Sequence, residues 1–383
     1  MSTATHKAEA RPTLTDAKRV VIKIGSALLV DSETGALNRP WLTSLADEVV
    51  RMRERGQQVI IVSSGAIALG RPYLGMTHEQ SRLEDHQAAA AAGQILLAHA
   101  YQDLLDERGV RMAQVLLTLD DTENRRRYLN ARSTLSRLIQ LGAVPVINEN
   151  DTVATQEIRY GDNDRLGARV AEMVSADCLV LLSDVDGLYT ADPTTDPGAE
   201  LIPEVRDITA EIAGRAGASS TPFGSGGMIT KIAAARICMA AGCATVIANG
   251  HRLEPLRAIE AGAPCTWFVP RKSPRAARKQ WIAGSLTLHG RLVIDGGAER
   301  ALAAGGSLLP VGVVSVEGDF ERGDAITIVS DDGRDIARGL AAYSSADAQR
   351  IQGRRSEEIE GLLGYGGRDE IMHRDDLVLL DDQ

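Results

Sequence analysis

The sequence predicts an α/β protein: a three-layer α/β/α sandwich on a mainly parallel sheet, followed by a small β-rich domain. Three observations lead there. Short β-branched runs alternate with alanine- and leucine-rich stretches of helical spacing as far as about Gly250. After Pro264 the rhythm gives way to short alternating strands separated by glycine and aspartate turns. The 383 residues, 44% of them hydrophobic, are enough for one large core plus a smaller one.

The strand candidates of the first part are RVVIKI, QVIIVSS, QVLLT, AVPVINEN, CLVLLSD and ATVIANG. Between them, AAAAAGQILLAHAYQDLL and NARSTLSRLIQLG carry apolar residues at helical spacing. Strands alternating with helices build a parallel sheet covered on both faces, and ligands gather beyond the carboxyl ends of its strands. Pro270 to Gln280, PRKSPRAARKQ, has five basic residues, two prolines and no acid, and reads as an exposed connection. SLTLHG, GRLVIDGG and AITIVSDDGRDIARGL then supply the strands of the second domain. The expected boundaries are a disordered segment over 1–16, the α/β domain over 17–268, a basic linker over 269–285 and the β-rich domain over 286–383.

Charge and composition exclude several function classes. No run of eighteen apolar residues occurs, and MSTATHKAEARP lacks the apolar stretch of a secretory signal, so a cytoplasmic protein without membrane association is expected. The net charge is −10, and Leu286 to Gln383 holds 10 Arg against 19 Asp and Glu, which disfavours RNA as a partner. Cys178, Cys238, Cys243 and Cys265 fit neither zinc-ligand nor redox spacing and read as reduced structural thiols. Only six of the 42 basic residues are lysines, so a lysine beside an ordered glycine turn calls for a reason.

Five segments place polar residues where strands end or helices begin. In VVIKIGSALL, Lys23 lies in a strand and Gly25 and Ser26 follow it, a turn lean enough for backbone N–H groups to approach an anion. In IIVSSGAIALG, a buried strand runs into Ser63, Ser64 and Gly65, hydroxyls and amides suited to a carboxylate or an amine. The densest cluster spans Ile147 to Val174, where Asn148, Asn150 and Asp151 close one strand and Asp162, Asn163 and Asp164 open a helix. One acid could cap that helix, but several converging carboxylates and amides need a cation or polar ligand to balance them. LLSDVDGLYTADP ends a strand in Ser183 and Asp184. In FGSGGMITK, Gly224, Gly226 and Gly227 lead into a helix whose first turns carry Thr230 and Lys231, offering free amides and a positive dipole end to phosphate. GxxxxGK[ST] is absent, GDND lacks the spacing of an EF-hand, and no GxSxG elbow occurs.

In order and wording these segments resemble the amino acid kinase family, through VSSGAIALG, LNAR, PVINENDTVAT, GDND, SDVDGLYTADP and GSGGMITK. RKQWIAGS, GSLLPVGV, LLGY and HRDD resemble the PUA domain appended to the branch of that family that acts on glutamate. The resemblance implies transfer of the γ-phosphoryl of ATP, with Mg²⁺, to the side-chain carboxylate of L-glutamate, giving L-glutamyl 5-phosphate, the first step of proline biosynthesis. It implies that Lys23 and Lys231 hold the migrating phosphoryl group and that Asp164 orients them. It assigns glutamate to Ser64, Gly65, Asn148, Asp151, Asp162 and Asn163. It assigns ATP to Lys23, Ser183, Asp184, Ser225, Gly226, Gly227, Met228, Ile229, Thr230 and Lys231, with no protein-held metal and Mg²⁺ carried mainly by the ATP phosphates. Ser183 stands where the family pattern has threonine, and Ile229 where it has a small polar residue. Also implied are a homo-oligomer, dimer or tetramer, inhibition by proline near the loop around Leu74 to Gln87, and delivery of product to glutamyl phosphate reductase.

Other readings use the same residues differently. A sibling kinase acting on acetylglutamate, aspartate, carbamate or UMP would keep the paired lysines and change the acceptor loops. A nucleotide-binding oxidoreductase would need GxGxxG after the first strand, which is absent. A nonenzymatic RNA-binding protein would rest on the PUA likeness alone, against the acidic balance of that end.

Overall fold

The hydrophobic runs of the first 274 residues assemble into one eight-stranded sheet. Its strands are β1 (Arg19–Ile24), β2 (Gln58–Val62), β3 (Met112–Leu117), β4 (Val144–Glu149), β5 (Cys178–Ser183), β6 (Glu204–Val205), β7 (Ala244–Asn249) and β8 (Cys265–Phe268). The computed structural model describes residues 11–31, 34–76, 82–153, 163–215, 227–284 and 288–380. The strand order is β3-β4-β2-β1-β5-β7-β8-β6. Neighbours from β3 through β7 run parallel, and β8 turns back antiparallel on β7 with β6 beside it. All six expected strand segments are present; β6 and β8 were not foreseen.

Side-chain parity in β1 decides what each face of the sheet does. Val20, Ile22 and Ile24 enter one core with Trp41, Leu45 and Tyr101, while Val21 enters the core of the opposite face. Lys23 shares the parity of Val21, so its long side chain is sent among the helices of that second face. Helices Asn163–Met173 and Met228–Ala240 cover it, burying Leu166, Val170, Ile232 and Cys238. Full burial of each such aliphatic side chain contributes about 1.5–3 kcal/mol, so the helices are held firmly by their apolar stripe. Gly167 lets one of them approach the strand closely: a Cβ there would lie 3.4 Å from Lys23 Cβ.

On the first face, helices Ala66–Tyr73 and Leu83–Asp106 cross at two glycines. A Cβ at Gly70 would meet Ala89 O at 1.8 Å, and one at Gly93 would meet Ala66 O at 1.7 Å. Backbone therefore rests on backbone at this crossing, and no larger residue fits either position. The alanine-rich stretch falls within helix Leu83–Asp106, and NARSTLSRLIQLG lies in helix Arg125–Gln140 up to Gln140, with Leu141 and Gly142 ending it.

The expected disorder over 1–16 does not hold for residues 11–16. Leu14 is buried in the first core, and Gln57 Nε2 donates to Leu14 O at 2.9 Å and Ala17 O at 2.6 Å. The chain divides into two compact units between Pro274 and Arg275. Within the stretch expected to be a linker, Pro274–Gly284 are helical. Ile282 of that helix is buried, and Arg278 pairs with Asp376. Charge and proline content signalled an exposed connection, but the prolines sit ahead of or at the first helical turn, where proline is tolerated.

The second unit holds a five-stranded sheet. β9 (Gly290–Ile294), β10 (Val313–Gly318), β11 (Ala325–Ser330), β12 (Asp335–Leu340) and β13 (Leu377–Leu379) are ordered β10-β9-β11-β12-β13. β9 and β11 are parallel, and the other neighbours are antiparallel. Leu292, Ile294, Ile326 and Ile328 form its core with Phe320, Tyr343 and Met372. Of SLTLHG, residues 285–287 lie outside the described residues and Leu288 and His289 precede β9.

Candidate functional site

The carboxyl ends of β1, β2, β4 and β5 converge on one rim of the first sheet, and the polar residues singled out by sequence follow them. Lys23 rises from β1 toward the helix layer. Its Nζ lies 2.7 Å from Asp164 Oδ1, and Lys231 Nζ lies 3.3 Å from Asp164 Oδ2. Thr230 Oγ1 donates to the same Oδ2 at 2.8 Å and is also 2.9 Å from Gly227 O. All three charged groups are nearly sealed, at 7%, 0% and 6% exposure for Lys23, Asp164 and Lys231.

Among the described residues, one carboxylate stands between two ammonium groups, an arrangement that suits an anion. Burial pushes the Asp164 carboxyl up, but the charges of Lys23 and Lys231, with hydrogen bonds from Lys23 and Thr230, outweigh it and hold the group below its ordinary value. Asp164 also lies in the first turn of helix Asn163–Met173, where the helix dipole favours negative charge. The carboxylate is therefore a fixed anion that aims two cations at one place.

A second cluster begins one residue earlier. Asn163 Nδ2 donates to Ser64 Oγ at 2.8 Å and approaches Ser63 O and Asn148 Oδ1 at 3.4 Å each. Asn148 is 2% exposed, and its Nδ2 donates to Gln94 Oε1 at 2.7 Å. Ser63 is fully buried, with its Oγ 3.1 Å from the hydroxyl of buried Tyr101. Gly65 adopts φ 98° at the head of helix Ala66–Tyr73, a left-handed conformation that glycine adopts without strain. Asp151 sits in a 3-10 turn beyond β4, and burial pushes its carboxyl up to about 6.

The expected residues thus fall into connected groups. Lys23, Asp164, Thr230 and Lys231 form one; Ser64, Asn148 and Asn163 form another beside it. Ser183 ends β5 next to the end of β1 and Asp184 follows it, with Ser183 Oγ donating to Asp184 Oδ1 at 2.8 Å. Gly227 caps helix Met228–Ala240 with Met228 behind it, and the Ile229 side chain is 59% exposed. Asp162, Ser225 and Gly226 lie outside the described residues, as does part of the loop around Leu74 to Gln87. Sequence reasoning missed Gln94 and Tyr101, because an alanine-rich helix reads as packing material. A glutamine seven residues before a tyrosine on one apolar helix face is the signal that was available.

Among the described residues no group of three or more His, Cys, Asp or Glu could hold a metal ion, and no helix is long and apolar enough to cross a membrane. The four cysteines are free and buried.

Known proteins align with this arrangement. The model of the amino acid kinase family matches residues 18–249, and that of the PUA domain matches residues 290–363. The chain is 60% identical over 366 residues to a glutamate 5-kinase of Paramagnetospirillum magneticum, covering 96% of this chain and 99% of that one. It is 59% identical over 359 residues to a glutamate 5-kinase of Rhodospirillum rubrum, covering 94% and 96%. Among solved structures, UMP kinase from Bacillus anthracis superposes with a TM-score of 0.48 at 16% identity, over 67% of this chain and 98% of that one. Carbamate kinase from Giardia lamblia bound to AMP-PNP gives 0.48 at 15% identity, over 67% and 100%. The chain belongs to the amino acid kinase family and carries a PUA domain in its C-terminal part.

Proposed function

We propose that this chain transfers the γ-phosphoryl group of ATP to the side-chain carboxylate of L-glutamate, producing L-glutamyl 5-phosphate at the start of proline biosynthesis. The observation that carries the reading is the buried Lys23–Asp164–Lys231 cluster with an amide and hydroxyl grip one residue away. Extensive likeness to glutamate 5-kinases over nearly the whole chain supports the choice of acceptor.

In the step proposed, a carboxylate oxygen of glutamate attacks the γ-phosphorus in line. The new O–P bond forms as the bond to the β,γ-bridging oxygen breaks, and ADP leaves with that electron pair. A glutamate carboxyl is already ionised at neutral pH, so its attack needs no general base. Lys23 and Lys231 would balance the charge on the equatorial oxygens, each contributing about 3–4 kcal/mol by comparison with a single oxyanion donor. Asp164 would keep the two ammonium groups from separating. Ser64, Gly65, Asn148 and Asn163, with Asp151 and Asp162, would grip the amino acid, and Ser183, Asp184 and the stretch from Ser225 to Lys231 the nucleotide.

Both Asp164 oxygens already face cations, so the chemistry of this donor set suits an Mg²⁺ ion that arrives bound to the ATP phosphates. The ion would add charge neutralisation to what the lysines provide. An acyl phosphate hydrolyses readily, which favours direct delivery to a reductase such as glutamyl phosphate reductase. The further proposals are a cytoplasmic homo-oligomer and inhibition by proline at or beside the glutamate subsite.

The test is ATP-dependent formation of glutamyl hydroxamate from hydroxylamine by wild type, Lys231→Ala and Asp164→Ala. Wild type should release ADP with L-glutamate and far less with aspartate, acetylglutamate, carbamate or UMP as acceptors, and both variants should lose most glutamyl hydroxamate formation. Preference for another acceptor would overturn the substrate, and full activity in Asp164→Ala would overturn the role of that carboxylate.

A further inference from the structure

The side chain of Asn163 presents an unmatched atom to the site. Its Nδ2 is engaged by Ser64 Oγ, Ser63 O and Asn148 Oδ1, while its Oδ1 is buried without a hydrogen-bond partner among the described residues. A buried acceptor is costly to leave unpaired, so a donor arriving with a ligand gains an interaction already prepared for it. Which end of the amide faces the ligand is settled by a chain of bonds that starts at the backbone.

Glu149 N–H can only donate, and it lies 2.9 Å from one end of the Asn148 amide, so that end is Oδ1. The other end is therefore Nδ2, which can only donate, and it meets Gln94 at 2.7 Å. Gln94 must accept there through Oε1. Asn148 Oδ1 also faces Asn163, which must present Nδ2 to it, and Asn163 Oδ1 is left pointing away as an acceptor. Three amides are thus polarised in one direction, with Gln94 at the outer end.

Gln94 is held in turn by a close crossing of two helix backbones. It follows Gly93, where helix Leu83–Asp106 rests on the backbone of Ala66, just beyond the Ser63–Gly65 turn. The helix cannot slide without moving that turn, so Oε1 of Gln94 is a fixed reference for the whole row.

We infer that Gln94 is a positioning residue for amino-acid specificity: through Asn148 it fixes the amide of Asn163 with Oδ1 turned toward the α-ammonium group of the substrate. Gln94 itself touches no reacting atom. Without its oxygen, Asn148 Nδ2 is buried and unpaired, and any rotation that repairs it withdraws Oδ1 from Glu149 N and Asn163 Nδ2. The role rests on the acceptor proposed above, and it predicts an effect on the amine of that acceptor rather than on its carboxylates.

The experiment compares L-glutamate with glutarate, which has both carboxylates and no amine. Gln94→Met keeps length and removes the acceptor; Gln94→Glu keeps an acceptor in the same place. In Gln94→Met, KM for L-glutamate should rise about tenfold, the size of one lost hydrogen bond. The inhibition constant of glutarate and KM for ATP should stay within twofold. Gln94→Glu should restore most of the preference for L-glutamate over glutarate, a ratio that cancels the effect of its charge on the shared carboxylates. Equal losses for L-glutamate and glutarate, an unchanged KM in Gln94→Met, or no recovery in Gln94→Glu would overturn the assignment. A wild type that forms no glutamyl hydroxamate would instead overturn the proposed acceptor, and this role with it.

Discussion

Replacing Asp164 with asparagine removes one charge from a cluster of three and changes almost no volume. At an effective dielectric near 20, the attractions over 2.7 Å and 3.3 Å amount to about 6 and 5 kcal/mol before desolvation is subtracted. Desolvation returns much of this, and breaking a buried pair by deleting one partner costs about 3–5 kcal/mol, because the remaining charges stay buried and uncompensated. For a unit of this size that corresponds to a fall in Tm of roughly 10 °C, measurable by circular dichroism. The sign with pH follows from the depressed carboxyl: its contribution is fully present above the ordinary carboxylate pKa and is lost as pH falls through the lower folded value. The difference between wild type and Asp164→Asn should therefore be constant from pH 6 to 8. ATP should raise the Tm of the variant, because the phosphates supply the missing negative charge. A Tm within 2 °C of wild type would refute the view that this carboxylate holds two buried ammonium groups.

Two further outcomes follow from the same rim. Burial raises the Asp151 carboxyl to about 6, so KM for L-glutamate should climb as pH falls below about 6 and a proton displaces the charge that attracts the ammonium group; Asp151→Asn should flatten this dependence, and initial rates across pH 5 to 8 check it. Gly93→Ala would place a methyl 1.7 Å from Ala66 O, so the two helices must part at a cost of about 1–3 kcal/mol; thermal melting should show the loss, with KM for L-glutamate rising as the Ser63–Gly65 turn shifts.

The sheet was legible because its central strands are continuous β-branched runs between helical stretches, the pattern of strands buried on both faces. β8 escaped notice because Cys265–Phe268 is short and follows a proline, and β6 because two residues carry no periodicity. The helical Pro274–Gly284 was hidden by its basic residues: periodicity records apolar faces, and this segment has few apolar side chains to mark one. At the site, Lys23 was marked by the scarcity of lysine and by the glycine turn beyond it, and Lys231 by its glycine-led helix. That they share one carboxylate came from family resemblance, since 207 residues of intervening chain say nothing of their meeting. Thr230 was expected to face nucleotide, yet its hydroxyl points to Asp164. Gln94 could not be found by motif, because its partner Asn148 lies 54 residues away in the chain and the contact exists only once helix and strand are packed.

The account stands on two ammonium groups meeting at one phosphoryl group, and the single-turnover rate of acyl phosphate formation in Lys231→Met tests this most directly. With both substrates saturating, the rate should fall at least about a hundredfold, the loss expected for one charge-stabilising donor, while KM for L-glutamate stays within threefold. A rate within a few-fold of wild type would contradict the claim that Lys231 acts on the transferring group.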